Sequence, residues 1–260
     1  MNIRSYDLFG NIALVKFPEK FKNEEKKKFA LKLLKENRSI KTVLEKTGKI
    51  QGRLRKFTTK FLAGENTKEV VYHENGSVFR FNIDTTYFSP RLSNERREIA
   101  SKIKKDDDVL VLFAGVAPFS IVIAKNSKAK KVDSVEINRK ASKYAELNVE
   151  LNKLKGRVNI IQADAKKFAE RNKNKKYDVI VMPRPQLKES FLGSIFPFAE
   201  KGTRIYYYDF CRVEEKDQIV EKVKQEAHKN KKKIKIINIK EAGEIAPYKV
   251  RLRVDFIVEN

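Results

Sequence analysis

One cysteine and two histidines in 260 residues exclude several kinds of protein at once. Cys211 has no partner within the chain, so no internal disulfide framework can form, and a reducing cytoplasmic setting is expected. The same scarcity leaves too few soft ligands for a structural zinc site, and no metal is expected. No apolar run reaches the roughly 18 residues needed to cross a bilayer, so no membrane partner is expected. The opening MNIRSYDLFGNIALVKF lacks the apolar core of a signal peptide and instead alternates like a strand. Repeats and low-complexity linkers are missing too. Acidic residues are in short supply: 58 Lys and Arg face 34 Asp and Glu, a formal net charge of +24. Heat-adapted surfaces usually balance Lys with Glu, so the imbalance points to a polyanion partner, and nucleic acid fits it better than an anionic membrane because no basic amphipathic helix stands out.

What is present is enough for a folded protein. The hydrophobic share of 41% is ordinary for a globular chain, and the length allows one good core, or a medium core and a small one. The positive charge concentrates in residues 20–60, 153–176 and 229–240, where lysines would hold phosphates without reading sequence.

Two textures meet near residue 78. Before it, Asn11–Phe17, Ser39–Glu45 and Glu69–His73 read as strands, Asn23–Lys35 as a helix and residues 52–56 as a loop, which together make a small basic α+β domain, 1–78. From 79 to 260, buried-strand runs at Asp108–Phe113, Lys131–Ile137, Val158–Gln162, Tyr177–Met182 and Thr203–Asp209 alternate with helical segments at Phe119–Lys125, Arg139–Lys153, Ala165–Arg171 and Lys188–Phe198. Such alternation builds a parallel sheet with helices on both faces. Lys233–Ile239 and Lys249–Val258 break it, being two strands joined by a Gly/Pro loop. The fold class is therefore α/β: a Rossmann-like, mostly parallel seven-stranded sheet closed by an antiparallel hairpin, the shape of class I AdoMet-dependent methyltransferases rather than nicotinamide dehydrogenases.

The first of these strands runs into Phe113-Ala114-Gly115-Val116-Ala117-Pro118, a small-residue turn that lets backbone approach a ligand. A single glycine stands where dinucleotide fingerprints use three, so pyrophosphate recognition is not indicated. The second strand ends at Glu136, placed to accept hydrogen bonds from ribose hydroxyls. The third ends in Gln162-Ala163-Asp164-Ala165, where Asp164 either meets an adenine or simply caps the next helix. Turn and acidic strand ends together mark a nucleoside-type cofactor, with Tyr87, Phe113, Gly115, Glu136, Ile137, Asp164, Ala165 and Pro183 as its candidate contacts.

Upstream, Ser89-Pro90 reads as a helix start with Ser as N-cap and Pro at the first position. Arg91 and Glu95 then share a helix face, either as part of a site or as a surface ion pair. After the fourth strand, Pro183-Arg184-Pro185 forms a stiff loop at the carboxyl edge of the sheet, where Arg184 either meets a ligand or is a solvated side chain.

These motifs resemble the tRNA guanine-37 N1-methyltransferases and their close relatives in the wyosine pathway. The blocks that carry the likeness are FGNIALVKFP at 9–18, NIDTTYFSPRLSNER at 82–96, LFAGVAPFSI at 112–121, EINRKASKYAELNVELN at 136–152, IYYYDF at 205–210 and PYKVRLRVDFIV at 247–258. The resemblance implies S-adenosyl-L-methionine (AdoMet) as cofactor and the anticodon loop of tRNA as partner. Separately, a monomer is expected. The resemblance also implies that Glu95 is the general base for the guanine N1 proton, and that Arg91 and Tyr87 shape its site. Arg55, with Arg53 as competitor, would stabilise charge on guanine O6, and Gly115, Glu136 and Asp164 would contact the cofactor. The chemistry coheres, because a protonated N1 is a poor nucleophile and the base must leave its stack to be reached.

Two departures stand out. Pro183-Arg184-Pro185 replaces the usual Asn-Leu-Pro and removes an amide expected near the target base, so Pro183, Arg184 and Pro185 bear on which atom is methylated: N1 of guanosine, or a carbon of the tricyclic wyosine precursor. Ala117 replaces a usual Gly. The chain is also expected to start at the second domain of the longer members. An aminocarboxypropyl transferase using the same cofactor is a competing reading, opposed by the retention of Glu95. A non-catalytic RNA-binding relative is another, opposed by Glu136, Asp164 and Glu95.

Overall fold

Alternation of buried side chains builds the main sheet. In β7 (Asp108–Leu112), Val109 and Val111 point into one apolar cluster while Leu110 and Leu112 point into another. Strand β10 (Val179–Met182) divides the same way, as a central strand covered on both faces must. The structure, a computed structural model, describes residues 6–48 and 58–260. Around β7 and β10 lie β8 (Lys131–Glu136), β9 (Val158–Gln162), β11 (Arg204–Arg212), β12 (Ile234–Ala246) and β13 (Lys249–Val258), in the order β12-β13-β11-β10-β7-β8-β9. Every pair from β11 to β9 is parallel, and β13 runs antiparallel to both β11 and β12. The expected seven-stranded sheet closed by a hairpin is therefore present.

Helices cover both faces. On one side lie α2 (Ser93–Ser101), α3 (Pro118–Asn126) and α4 (Arg139–Leu151); on the other, α5 (Ala165–Arg171), the single turn α6 (Leu192–Ile195) and α7 (Lys216–Lys229). The chain leaves β7 toward β8 and β9 and later returns to β10 on its other flank. The carboxyl ends of β7 and β10 thus form a topological switch point, where open α/β sheets leave a crevice.

The N-terminal unit has a four-stranded sheet, β1 (Tyr6–Phe9), β2 (Ile12–Val15), β3 (Thr42–Lys46) and β4 (Thr59–Gly64), with α1 (Asn23–Glu36) beside it. In β2, Ala13 and Val15 pack with Leu33 of α1, while Ile12 and Leu14 join the main core. The unit is thereby docked by apolar burial. Between the two sheets stands the hairpin β5 (Glu69–Glu74) and β6 (Ser77–Asn82), tied to α4 by Asn148 and Asn152, whose side-chain oxygens accept the Arg80 and Val78 N–H groups at 2.7 and 3.0 Å. Residue 78, where the textures change, lies inside β6. At Gly10 (φ +53°) the β1–β2 turn approaches β5 so closely that a β-carbon would stand 1.8 Å from the Val71 carbonyl oxygen.

The structure departs from the sequence reading in identifiable places. The helix expected over Lys188–Phe198 shrinks to α6 and a 3₁₀ turn, Phe196–Phe198; Phe191 takes a left-handed conformation, and Pro197 cannot donate in a continuing helix. Helix α7 was not anticipated, because its apolar stripe of Ile219, Val220, Val223 and Ala227 is sparse among Lys and Glu. Strands β4 and β6 also went unread. The helix start at Ser89-Pro90 is a 3₁₀ turn, Pro90–Leu92, leading into α2, and Ser89 makes no side-chain capping bond.

Candidate active site

The turn after β7 is held by a carboxylate. Phe113, Gly115 and Ala117 all have positive φ (56°, 58° and 65°), so the backbone bends back on itself before α3 begins at Pro118. Glu136 Oε2 accepts the Gly115 N–H at 2.8 Å, and its Oε1 accepts the Asn138 N–H at 2.7 Å. One side chain at the end of β8 thus fixes both the turn and the start of α4. Asn138 continues the chain of contacts: its oxygen caps α4 through the Lys140 N–H at 3.0 Å, and its amide donates to the Thr85 carbonyl at 2.9 Å. The wall of the site is so joined to the segment that carries Tyr87.

A cleft opens at these strand ends. Tyr87, Phe113, Gly115, Glu136, Ile137, Ala165 and Pro183, all singled out from the sequence as cofactor contacts, line it together with Arg184 and Pro185. Asp164 does not: its Oδ1 accepts the Lys166 N–H at 2.9 Å and caps α5, the plainer of its two readings. Phe113 meets Phe191 edge-on at 5.1 Å, which stiffens the apolar side. Two polar lining residues are not among the candidates read from the sequence. Asn138 carried a readable signal, an Asn opening the helix at 139. Arg251 carried none, since only the pairing of β13 with β11 brings it to the cleft. Its guanidinium lies 5.1 Å from the centre of the Phe210 ring.

Arg91 and Glu95 do not form a shared face. The 3₁₀ turn rotates Arg91 outward, where its side chain is 73% exposed and meets Asp7 of β1 at 3.4 Å. Glu95 is buried, three residues on from Leu92, which does line the cleft. Its Oε1 meets Lys240 at 2.7 Å; its Oε2 meets Arg253 at 2.6 Å and accepts the Tyr208 hydroxyl at 3.0 Å. Arg253 also holds Glu98 at 2.6 Å and Asp255 at 2.7 Å. Burial, then the Glu95 charge, pushes the Tyr208 hydroxyl well above its ordinary value, so it stays a donor. At Glu98 burial works to raise the pKa, but hydrogen bonds from Arg253 and Lys240 prevail and lower it to about 2.

Arg184 corrects another expectation. It lines the cleft yet is only 1% exposed: one guanidinium nitrogen pairs with Asp209, and another donates to the Leu187 and Glu189 carbonyls at 2.6 Å each. The residue therefore shapes the 183–190 loop from inside, because its charge is satisfied more fully by Asp209 and two carbonyls than by solvent. Arg53 and Arg55 lie outside the described residues. Among the described residues, no cluster of His, Cys, Asp and Glu is placed to hold a metal ion, and no helix is long and apolar enough to cross a membrane.

The polar and apolar parts of the cleft suit AdoMet. Glu136 offers carboxylate lone pairs for ribose hydroxyls, while Phe113, Ile137, Ala163 and Leu187 offer apolar walls for a base. Arg184 Nε is a buried donor without a partner in the cleft wall, the kind of group a ligand oxygen completes.

The model of the TRM5/TYW2 methyltransferase domain matches residues 70–237, and that of the TYW2 N-terminal domain matches residues 2–67. The tRNA (guanine(37)-N(1))-methyltransferase Trm5b of Pyrococcus abyssi is 32% identical over 98% of this chain and 74% of its own length. Its crystal structure superposes with a TM-score of 0.87 over 99% of this chain and 76% of that one. The tRNA (guanine(37)-N(1))/4-demethylwyosine(37)-methyltransferase Taw22 of Nanoarchaeum equitans is 31% identical over 96% of this chain and 98% of its own. The solved complex of aTrm5 with tRNALeu matches with a TM-score of 0.84 at 28% identity, covering 99% of this chain and 72% of that one.

Proposed function

The chain belongs to the TRM5/TYW2 methyltransferase family, and from that premise we propose that it transfers the methyl group of AdoMet to the purine at position 37 of tRNA, with N1 of guanosine as acceptor. The observation that carries this reading is the cleft at the β7–β10 switch point, where Glu136 fixes the Gly115 turn and Tyr87, Phe113 and Pro183 converge. AdoMet supplies an activated methyl group that needs no metal.

The chain's own residues supply the rest. Glu136, Gly115 and Ile137 hold the cofactor, and Tyr87 and Pro185 border the space where a flipped base enters. Glu95 takes the N1 proton. A carboxylate oxygen has two lone-pair positions; Oε1 commits one to Lys240, which leaves the other for the proton. Arg55, with Arg53 as alternative, answers the charge that develops on O6, and Arg251 adds positive potential from the cleft wall. The basic N-terminal unit grips phosphates. In this reading the protein works as a monomer in the cytoplasm.

A second acceptor, a carbon of the tricyclic wyosine precursor, is favoured by one observation. Arg184 is turned into the protein, so Pro183–Pro185 presents no amide to the edge of the target base. A single assay separates these outcomes: unmodified and wyosine-precursor tRNA are incubated with methyl-labelled AdoMet, digested, and the nucleosides identified. Label in 1-methylguanosine supports the first reading, and label only in the tricyclic base supports the second. Transfer of the aminocarboxypropyl group instead, or binding with no transfer, overturns both.

A further inference from the structure

Strand β11 stays in register with β10 as far as the pair Met182–Tyr207 and then continues for five more residues, Tyr208–Arg212. Over that stretch it is paired with β13 down to Arg212–Lys249. At about 3.3 Å per residue, the tip of the β12–β13 hairpin stands roughly 16 Å beyond the sheet's carboxyl edge, where the cleft opens. The tip is a tight turn, with Pro247 and Tyr248 between the paired Ala246 and Lys249.

Tyr248 is unusual there in two ways. Its backbone is left-handed (φ 59°), a conformation costly for any residue with a β-carbon, and its carbonyl accepts the Val213 N–H at 3.1 Å, which pins the turn to the end of β11. Its side chain is 79% exposed, more than any other large apolar side chain among the described residues. An aromatic ring is thus held out from a firmly anchored backbone. Lys249 follows it, and Arg251, on the same face of β13 as Lys249, lines the cleft about 10 Å of strand away from Tyr248.

We propose that Tyr248 is a stacking platform for an anticodon-loop base next to the target nucleotide, with Lys249 beside it for the phosphate. The proposal rests on the tRNA reading above. Flipping one nucleotide out of a loop strips its neighbours of a stacking partner, and an exposed aromatic beside basic side chains is how proteins replace it. Val213 and Ile245 leave a little exposed apolar surface near the ring and Glu244 adds one negative charge, but Lys249, Arg251 and the net charge of +24 favour RNA over a protein partner.

The test uses the full chain and tRNA transcripts carrying 2-aminopurine immediately 5′ or 3′ of position 37. With wild-type protein, binding quenches the probe at one of these positions. Tyr248→Ala is expected to restore its fluorescence, weaken binding about 10-fold and raise KM similarly with kcat nearly unchanged, while Tyr248→Phe behaves as wild type. An unchanged melting temperature for both variants separates stacking from a folding defect. If wild type methylates the transcript but Tyr248→Ala matches it in affinity and fluorescence, the stacking proposal is overturned and the methyltransferase reading stands. If wild type binds without methylating, guanosine N1 falls as the acceptor, and the fluorescence still decides on Tyr248. Failure of wild type to bind the transcript overturns both.

Discussion

Glu136→Gln separates the two jobs assigned to that side chain. Its two oxygens each accept a backbone N–H, from Gly115 at 2.8 Å and Asn138 at 2.7 Å. Glutamine keeps one oxygen and presents an NH2 group to the other donor, so one N–H loses its acceptor. The site is only part-buried, so the loss belongs near the low end of the range for an unsatisfied donor, about 1 kcal/mol. For a chain of this size that lowers the melting temperature by roughly 2–4 °C. The cofactor effect is larger: losing a charge-assisted bond to a ribose hydroxyl costs about 1.5–3 kcal/mol, a rise in Kd of roughly 10- to 100-fold. Calorimetric titration with AdoMet and a thermal melt without it measure the two quantities independently. A small drop in melting temperature with an unchanged Kd would refute the ribose assignment and leave Glu136 as a brace for the turn alone.

The other predictions address the surrounding structure. Glu95→Gln should abolish N1 methylation while tRNA binding, followed by filter retention, stays within a few-fold; retained activity removes Glu95 as the base. Arg184→Met takes one partner from the buried Asp209, whose charge is left to Lys222, the Tyr207 hydroxyl and the Phe210 N–H, and should cost about 1–3 kcal/mol in a denaturant melt, whereas a pure ligand contact would move KM and spare stability. Gly10→Ala should destabilise the protein strongly and loosen the N-terminal unit, because its β-carbon would strike the Val71 carbonyl; limited proteolysis reads the loosening, and a wild-type digestion pattern would show that the two units are not tightly docked there. Glu98 is held at about 2 in the folded protein against 4.5 ordinarily. Its contribution to stability is therefore complete above pH 4.5 and is lost as the pH falls toward 2. Melting temperatures across that window should fall less steeply for Glu98→Gln, and identical slopes would contradict the pairing.

The sequence alone determined the sheet and picked out many of the residues that line the cleft, because both are written locally. Buried strands such as Val109–Leu112 and Val179–Met182 are short apolar runs bounded by turns, and Gly115 and Glu136 stand at strand ends whose place in an α/β sheet is set by chain order. What tertiary structure alone decided involves partners far apart in the chain. Arg91 and Glu95 are four residues apart in sequence, but the 3₁₀ turn and the arrival of Arg253, 158 residues on from Glu95, send one outward and bury the other. Arg184 looked wholly available to a ligand until Asp209 and two loop carbonyls claimed its terminal nitrogens and left only Nε. Arg251 and Tyr248 gained their meaning only when β13 paired antiparallel with β11 and carried the hairpin tip past the mouth of the cleft. The reason is common to all three: a charged or aromatic side chain takes its role from the groups that satisfy it, and strand pairing at long range chooses those groups.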